Sequence, residues 1–503
     1  MARRIKPIET ALADANAKGR SLKRSLGTAD LALMGVAVAV GAGIFSVGAR
    51  AAADFAGPAV ILSFILAALT CGLAIMCYAE FAAAMPVAGS AYAFTYASVG
   101  EFAAWLIGWN LILEMFTAAA VIAKYWGVYL SQVFELWNVP IPPTIDVLGI
   151  DVSWPAFVIV AVFTVLLVLG TQLTARVGSV FTIIKVAIVL FVIVAGLFYV
   201  QGANFTPFVP EAVPSETPDQ DVWLQSAFSF LTGAAPAQYG VFGVLAGAAL
   251  VFFAFIGFDV VATSAEEVKE PQRRLPRGIF LGLGIVTLLY VLVSIVLTGM
   301  VPYTEMAAQE DKSLATAFAL VGADWAAGII SVGALAGLTT VVMVLLLGLS
   351  RILFSMSRDG LLPKGLSKVS KRQTPARLQI GAGLAVALVA AFFEVGVLEE
   401  LINIGTLSAF VTVSIGVVVL RRRRPDIERP FKVPFSPVLP ILSALLCFWL
   451  MLNLANLTWA LFAGWVVLGI GIYFAYGRRH SRLGRGEALA PSDTELPGGA
   501  AGH

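Results

Sequence analysis

Histidine is nearly absent from this chain: 503 residues hold two, His480 and His503, both near the C-terminus. That excludes a histidine metal site or a histidine proton relay in the body of the protein. Cysteine is scarce too, and Cys71, Cys77 and Cys447 each lie inside an apolar run. The six-residue spacing of the first two fits no metal-ligand pattern, so all three read as packed free thiols. Charge is the third shortage. Asp, Glu, Lys and Arg make up 13% of the chain, about half the share of a soluble domain. No Walker-type phosphate loop or nucleotide-binding domain is present, and no Cys/His pair or metal cluster suggests an enzyme. No cofactor and no nucleic-acid partner are expected. The first 28 residues are polar and charged, so no secretory signal peptide is expected there.

What is abundant is apolar sequence. Hydrophobic residues reach 59% and the mean hydropathy is +0.90. Many runs attain the ~20 residues that cross a bilayer, whereas a β-barrel would show ~10-residue alternating segments. The reading is an all-α polytopic membrane protein whose solvent is the lipid bilayer. Twelve spans are expected, at 29–50, 57–84, 99–132, 154–173, 178–200, 240–263, 277–300, 325–355, 378–396, 398–420, 436–454 and 457–477.

Charge placement orients these spans. With the N-terminus in the cytoplasm, all but four of the 33 Lys and Arg fall on the cytoplasmic side. Arg50 and Lys312 fall outside, and Lys124 and Lys185 lie within spans. This asymmetry is the positive-inside pattern, and moving one boundary by a whole span destroys it. The expected division is a cytoplasmic segment 1–28, helices 1–5 over 29–200, an extracellular loop 201–239, helices 6–10 over 240–420, helices 11–12 over 436–477 and a disordered cytoplasmic tail 478–503. Both termini are then cytoplasmic and the protein is multi-pass in the plasma (inner) membrane.

Two spans are interrupted. Span 1 carries Gly41-Ala42-Gly43 inside VAVAVGAGIFSVG, and span 6 carries Gly257 and Asp259 inside FFAFIGFDVVATS. Hydrocarbon offers backbone groups no partner, so a break is tolerable only where it faces a cavity or a ligand. Two interrupted spans five apart point to an inverted-repeat transporter with its site at the breaks. The alternative is that these glycines only permit close helix packing.

At these residues a resemblance becomes specific. LKRSLGTADLALMGVAVAVGAGIF (22–45), YAEFAAAMPVAGSAYAFTYASVGEFAAWLIGWNLILE (78–114), FFAFIGFDVVATSAEEVKEPQRRLP (252–276), SRDGLLP (357–363) and GTLSAF (405–410) follow in order over roughly residues 20–475. Together they resemble the cationic amino acid transporter family of the amino acid–polyamine–organocation superfamily, as a bacterial member. The resemblance implies a 5+5 inverted repeat with discontinuous helices 1 and 6, followed by two further helices. It also implies backbone contacts to an amino acid from Ala39, Gly41, Ala42 and Gly43 in span 1 and from Phe253, Ala254 and Ile256 in span 6. Members often have Thr where this chain has Ala42, so a hydroxyl contact to the substrate carboxylate is lost.

Elementary electrostatics agrees with that carry-over. A broken helix presents N–H groups to a carboxylate at the start of its second half and carbonyls to an ammonium at the end of its first. Phe253 is a candidate gate, or a packed ring among 33 phenylalanines. Gly257 marks the break, and Asp259 either holds the unwound backbone or touches substrate. Glu114, mid-span in helix 3, matches the family's glutamate and either attracts a cationic side chain or anchors structure. Lys185, mid-span in helix 5 without an adjacent acid, is the expected proton-coupling residue. In proton-coupled relatives such a lysine stands where sodium links spans 1 and 8 in others. A snorkelling lysine is the bland alternative. The expected activity is secondary active transport, the proton-coupled symport of L-amino acids, cationic and/or small neutral, by alternating access. Rival readings are a sodium-coupled or uncoupled exchanger and a non-transporting amino acid sensor.

Overall fold

The computed structural model describes all residues except 1–25, 42, 85–89, 148, 171–174, 215–221, 234–236, 258–260, 262–267, 369, 371–373 and 486–503. Ala42 and Asp259, two of the expected site residues, therefore lie outside the described residues. So do most of the N-terminal segment and the last part of the tail.

The chain is mostly helical. In order, α1 is Thr28–Ala39, α2 Val60–Ala84, α3 Ser90–Ser98, α4 Glu101–Glu135, α5 Trp154–Val168, α6 Ala175–Gly196 and α7 Gly240–Val251. Then come α8 Pro271–Met300, α9 Asp324–Arg358, α10 Ala376–Phe392, α11 Val395–Arg423, α12 Val438–Leu452 and α13 Asn456–Ile472. Two antiparallel ribbons depart from an all-helical picture, Ile145–Val147 with Ile150–Val152 and Val213–Pro214 with Ala237–Gln238. Both lie in the long acidic loops.

Among the described residues, seven helical stretches are long and apolar enough to cross a membrane, and five shorter apolar helices accompany them. The shorter five fall within expected spans 1, 4, 6, 9 and 11. Spans 1 and 6 are cut by their breaks, while α5, α10 and α12 run only 15, 17 and 15 residues. Leu, Ile and Val stand exposed along the outer faces, as with Ile183, Val194 and Leu445. In water such surface would be a liability; against acyl chains it is matched.

α4 is the central mast. Its most apolar window is 89% buried, against 17% for the last helix, and it packs on α9, α11, α5 and α10. The last helix is fastened to it by indoles. Trp105 donates to the Gly469 carbonyl at 2.8 Å, and Trp109 and Trp465 stack at 4.4 Å and exchange Nε1–H bonds to each other's carbonyls. A buried indole N–H needs such an acceptor. Gly469 must lack a side chain, because a Cβ would meet the Trp109 ring at 2.4 Å.

The two ends of the bundle differ in charge. At the basic end, the buried Glu80 of α2 takes a two-pronged bond from Arg421 at the end of α11 and the Val433 N–H. At the other end stand Arg50 and Lys312, the two basic residues expected there, and both meet Asp54, at 3.8 and 2.9 Å. Arg50 also reaches the fully buried Glu399 of α11, which accepts the Tyr125 hydroxyl of α4 as well. One expectation changes at the C-terminus. Residues 478–485, expected as the start of a disordered tail, are helix and turn, with Ser481 fully buried. Their composition is polar, but the groups that order them lie across the bundle.

Candidate functional site

The first break begins at the end of α1. Val40 turns extended, with φ −70° and ψ 95°, while its N–H still donates to Val36. The chain resumes helix when Ile44 and Phe45 both donate to the Gly41 carbonyl, at 3.2 and 3.3 Å. This second half, 43–56, opens and closes with π-turns, Gly43–Val47 and Ala52–Ala56. Wider turns of this kind often sit at functional sites. Tyrosines donate to a carbonyl within each: Tyr129 to Phe45 at 2.8 Å and Tyr239 to Ala53 at 2.6 Å.

The second break follows α7. A 3₁₀ turn over Phe252–Phe255 gives way to an extended Ile256, and Gly257 takes φ +108°, where only glycine is unstrained. Asn403 of α11 donates to the Ala249 carbonyl in the last turn before it.

The breaks interlock. A Cβ on Gly43 would lie 2.4 Å from Ala254 Cα, and one on Gly257 would lie 2.2 Å from Val38 Cγ1. Each interruption is thus pressed against the other helix's interruption, and the glycines make that approach possible. Gly41 differs, since a Cβ there meets nothing nearer than Val341 at 3.8 Å.

The carbonyls at the end of α1 have no intrahelical donors to expect beyond the break. Two of them are met from other helices. Lys185 of α6 donates from Nζ to the Ala37 oxygen at 3.2 Å. Tyr290 of α8 donates to the Ala39 oxygen at 2.6 Å and also stands 2.9 Å from the Ala254 oxygen. One hydroxyl, buried between the rings of Phe64 and Phe255, therefore bridges both breaks.

Of the expected site residues, Ala39, Gly41, Gly43, Phe253, Ala254, Ile256 and Gly257 come together at the paired breaks. Phe253 is itself buried, at 7% exposure, and its carbonyl accepts the Ile256 N–H. Lys185 joins them through α1, and its stem lies on Gly337 of α9, whose Cβ would be 3.0 Å from Lys185 Cγ. Helices α1, α6 and α9 meet at this lysine. Glu114, also buried, is placed by α11: the Cβ position of Gly405 lies 3.8 Å from Glu114 Cβ. Its tie to the second break runs through α11, which carries Asn403 two residues earlier. Tyr290 and Asn403 were not among the residues expected from sequence. A polar group alone in an apolar span, as in TLLYVLVS, is the signal that could have found Tyr290. No group of three or more His, Cys, Asp or Glu suited to a metal occurs among the described residues.

Comparison with known proteins adds an independent line. A family model described as "Amino acid permease" matches residues 26–473. The methylthioribose transporter of Bacillus subtilis (strain 168) is 41% identical over 488 residues, covering 96% of this chain and 99% of that one. The branched-chain amino acid permease BcaP of the same organism is also 41% identical over 488 residues, covering 95% and 98%. The vacuolar cationic amino acid transporter 2 of Arabidopsis thaliana is 38% identical over 423 residues, covering 83% and 63%. These relatives are transporters and permeases, not enzymes.

Proposed function

The chain belongs to the amino acid permease family, and from that premise we propose that it is a secondary active transporter that imports an L-amino acid with a proton by alternating access. It crosses the plasma membrane twelve times, with both termini in the cytoplasm. Its first ten helices form two inverted five-helix repeats, helices 1 and 6 being the discontinuous pair. The amino acid's carboxylate sits against the backbone at 41–43, and its ammonium against carbonyls around Ala39 and Ala254. The site demands no charged side chain for this, because the half-helix ends carry the complementary partial charges.

The observation that carries the reading is the bond from Lys185 to the Ala37 carbonyl at the first break. In the protonated state the ammonium holds a carbonyl that the break has released. Loss of the proton removes that charge-assisted bond and weakens the hold on α1. A proton thereby biases a two-state equilibrium. Neutral aliphatic amino acids are the first substrates to test, since a branched-chain permease matches over nearly the whole chain. Glu114 then serves as an anchor against α11 rather than as a counter-charge. A second reading has equal support in identity: methylthioribose as substrate, the compound for which the other Bacillus subtilis relative is named.

The test is uptake into proteoliposomes under an inward proton gradient, with leucine, valine, alanine, arginine and methylthioribose as competitors. Lys185→Ala is expected to abolish accumulation against a gradient while substrate binding persists. Uphill accumulation by that variant would sink the coupling role. Accumulation driven by sodium, or exchange alone, would favour the rival coupling modes. Intact binding with no flux in the parent protein would mark a sensor.

A further inference from the structure

The block SRDGLLP, 357–363, closes α9 about 25 Å along that helix from Val341, the residue that faces Gly41. Ser357 donates to the Pro363 carbonyl at 2.7 Å, which folds the block into a turn, and Leu361 and Leu362 are buried. Gly360 takes φ +79°, and a Cβ there would lie 2.4 Å from the His480 carbonyl oxygen. The C-terminal segment thus crosses this glycine in backbone contact. Beside it, Arg482 N–H donates to the Asp359 carbonyl at 3.1 Å.

The same segment reaches a second acid. Ser481 donates to the carboxylate of Glu101, the first residue of α4. Gly484 N–H then binds the Ser481 hydroxyl, and Arg485 N–H its carbonyl, which wraps the segment's end around that serine. Glu101 also accepts the Tyr473 hydroxyl at 3.0 Å and the Tyr96 hydroxyl at 3.2 Å. The Asp359 carboxylate accepts the Tyr92 hydroxyl at 2.7 Å. Tyr92 and Tyr96 stand one turn apart on α3. Asp359 and Glu101 therefore each grip both α3 and the tail.

α3 sits where such a grip matters. Its Phe94 is fully buried and stacks on Phe81 of α2 at 5.6 Å, and the helix packs against α4 and α11 as well. It fills the space between three helices at the basic end of the bundle. The grip itself is made of hydroxyl and backbone bonds. Leu483 is the single large apolar side chain in 477–485, while Arg478, Arg479 and Arg485 are exposed. Such bonds each contribute little net stability, and segments held this way open at low cost.

We propose that residues 477–485 are a strap that holds α3 as a plug between the cytoplasmic ends of α2, α4 and α11, and so restrains the opening of the carrier to the cytoplasm. This rests on the transporter reading for its consequence, though not for the strap itself.

The experiment compares hydrogen exchange of residues 90–98 in the full-length protein, in lipid nanodiscs, with that in Ser481→Ala, Gly360→Val and a truncation after Tyr476. Exchange in 90–98 is expected to rise at least tenfold in each variant, while residues 120–135 of α4 keep the parental rate. In proteoliposomes the maximal exchange flux is expected to rise about threefold, with the substrate Kd within twofold of the parent. Parental protection of 90–98 after strap removal overturns the proposal. So does an equal loss of protection in 120–135, which would make the segment part of general folding stability. Raised exchange in 90–98 with an unchanged or reduced flux overturns the plug. The hydrogen-exchange arm needs no flux, so it decides the strap even where the transport reading fails.

Discussion

Replacing Gly43 by alanine should disable the site, whereas the same change two residues earlier should not. A methyl carbon on Gly43 would lie 2.4 Å from Ala254 Cα and 2.5 Å from Ala254 Cβ. Carbon atoms rest at about 3.5–4.0 Å, so the two backbones must part by about 1 Å. The neighbour cannot swing aside as a side-chain tip would, because it is backbone whose carbonyl lies 2.9 Å from the Tyr290 hydroxyl. A retreat of that size takes this contact out of hydrogen-bond range. Overpacking costs about 1–3 kcal/mol, and a buried polar group left unpaired about 1–3 kcal/mol more. Even the lower sum, about 2 kcal/mol, reduces the interlocked population roughly 30-fold. At Gly41 the nearest atom is Val341 Cγ2 at 3.8 Å, an ordinary contact. The assay is the substrate Kd of the purified carrier together with the initial uptake rate in proteoliposomes. Gly43→Ala is expected to weaken binding by about 30-fold or more, and Gly41→Ala by no more than about threefold. A Gly43→Ala carrier within threefold of the parent, or a Gly41→Ala carrier that is the worse of the two, would refute the interlock.

Tyr290→Phe keeps the edge contacts with Phe64 and Phe255 but strips the donor from the Ala39 and Ala254 carbonyls. An unmet buried acceptor costs about 1–3 kcal/mol, so uptake should fall about tenfold or more, and a parental rate would show that the hydroxyl holds neither break. Arg50→Ala removes the cation from the buried Glu399. Stripping one partner from a buried ion pair costs about 3–5 kcal/mol. The single variant should therefore melt well below the parent, and Arg50→Ala with Glu399→Gln should melt above the single variant; a double variant no more stable than the single one would mean that the pair carries no such strain. Gly469→Ala should loosen the last helix, since the new Cβ would meet the Trp109 ring at 2.4 Å. The readout is raised exchange in residues 456–472, and unchanged protection there would deny the indole clasp.

How far these features could be read beforehand depends on whether their cause is local. The interruptions at 41–43 and 257 were legible because a glycine in an apolar run is a statement about its own backbone. The bundle's basic end was legible because loop charge alone signals it. Which glycine is sterically required was not, because Gly43 and Gly41 differ only in what faces them from another helix. The pairing of Arg50 with Glu399 joins residues 349 apart, and neither carries a mark of the other. The segment 478–485 reads as solvated by composition, yet it is ordered by Gly360 and Glu101, which no local pattern connects to it.

The contrast between Lys185 and Tyr290 shows the same division within a single site. Both meet a carbonyl near the end of α1, Lys185 at Ala37 and Tyr290 at Ala39. Lysine stood out because a charge in hydrocarbon is costly wherever it sits. Tyrosine did not, because its ring is at home there and its hydroxyl needs only one acceptor. The break, however, releases several carbonyls, and the Lys185 ammonium meets one of them, on α1. The Lys185 ammonium donates to α1 while its stem rests on Gly337 of α9, whereas the Tyr290 hydroxyl stands against carbonyls of both α1 and the second break.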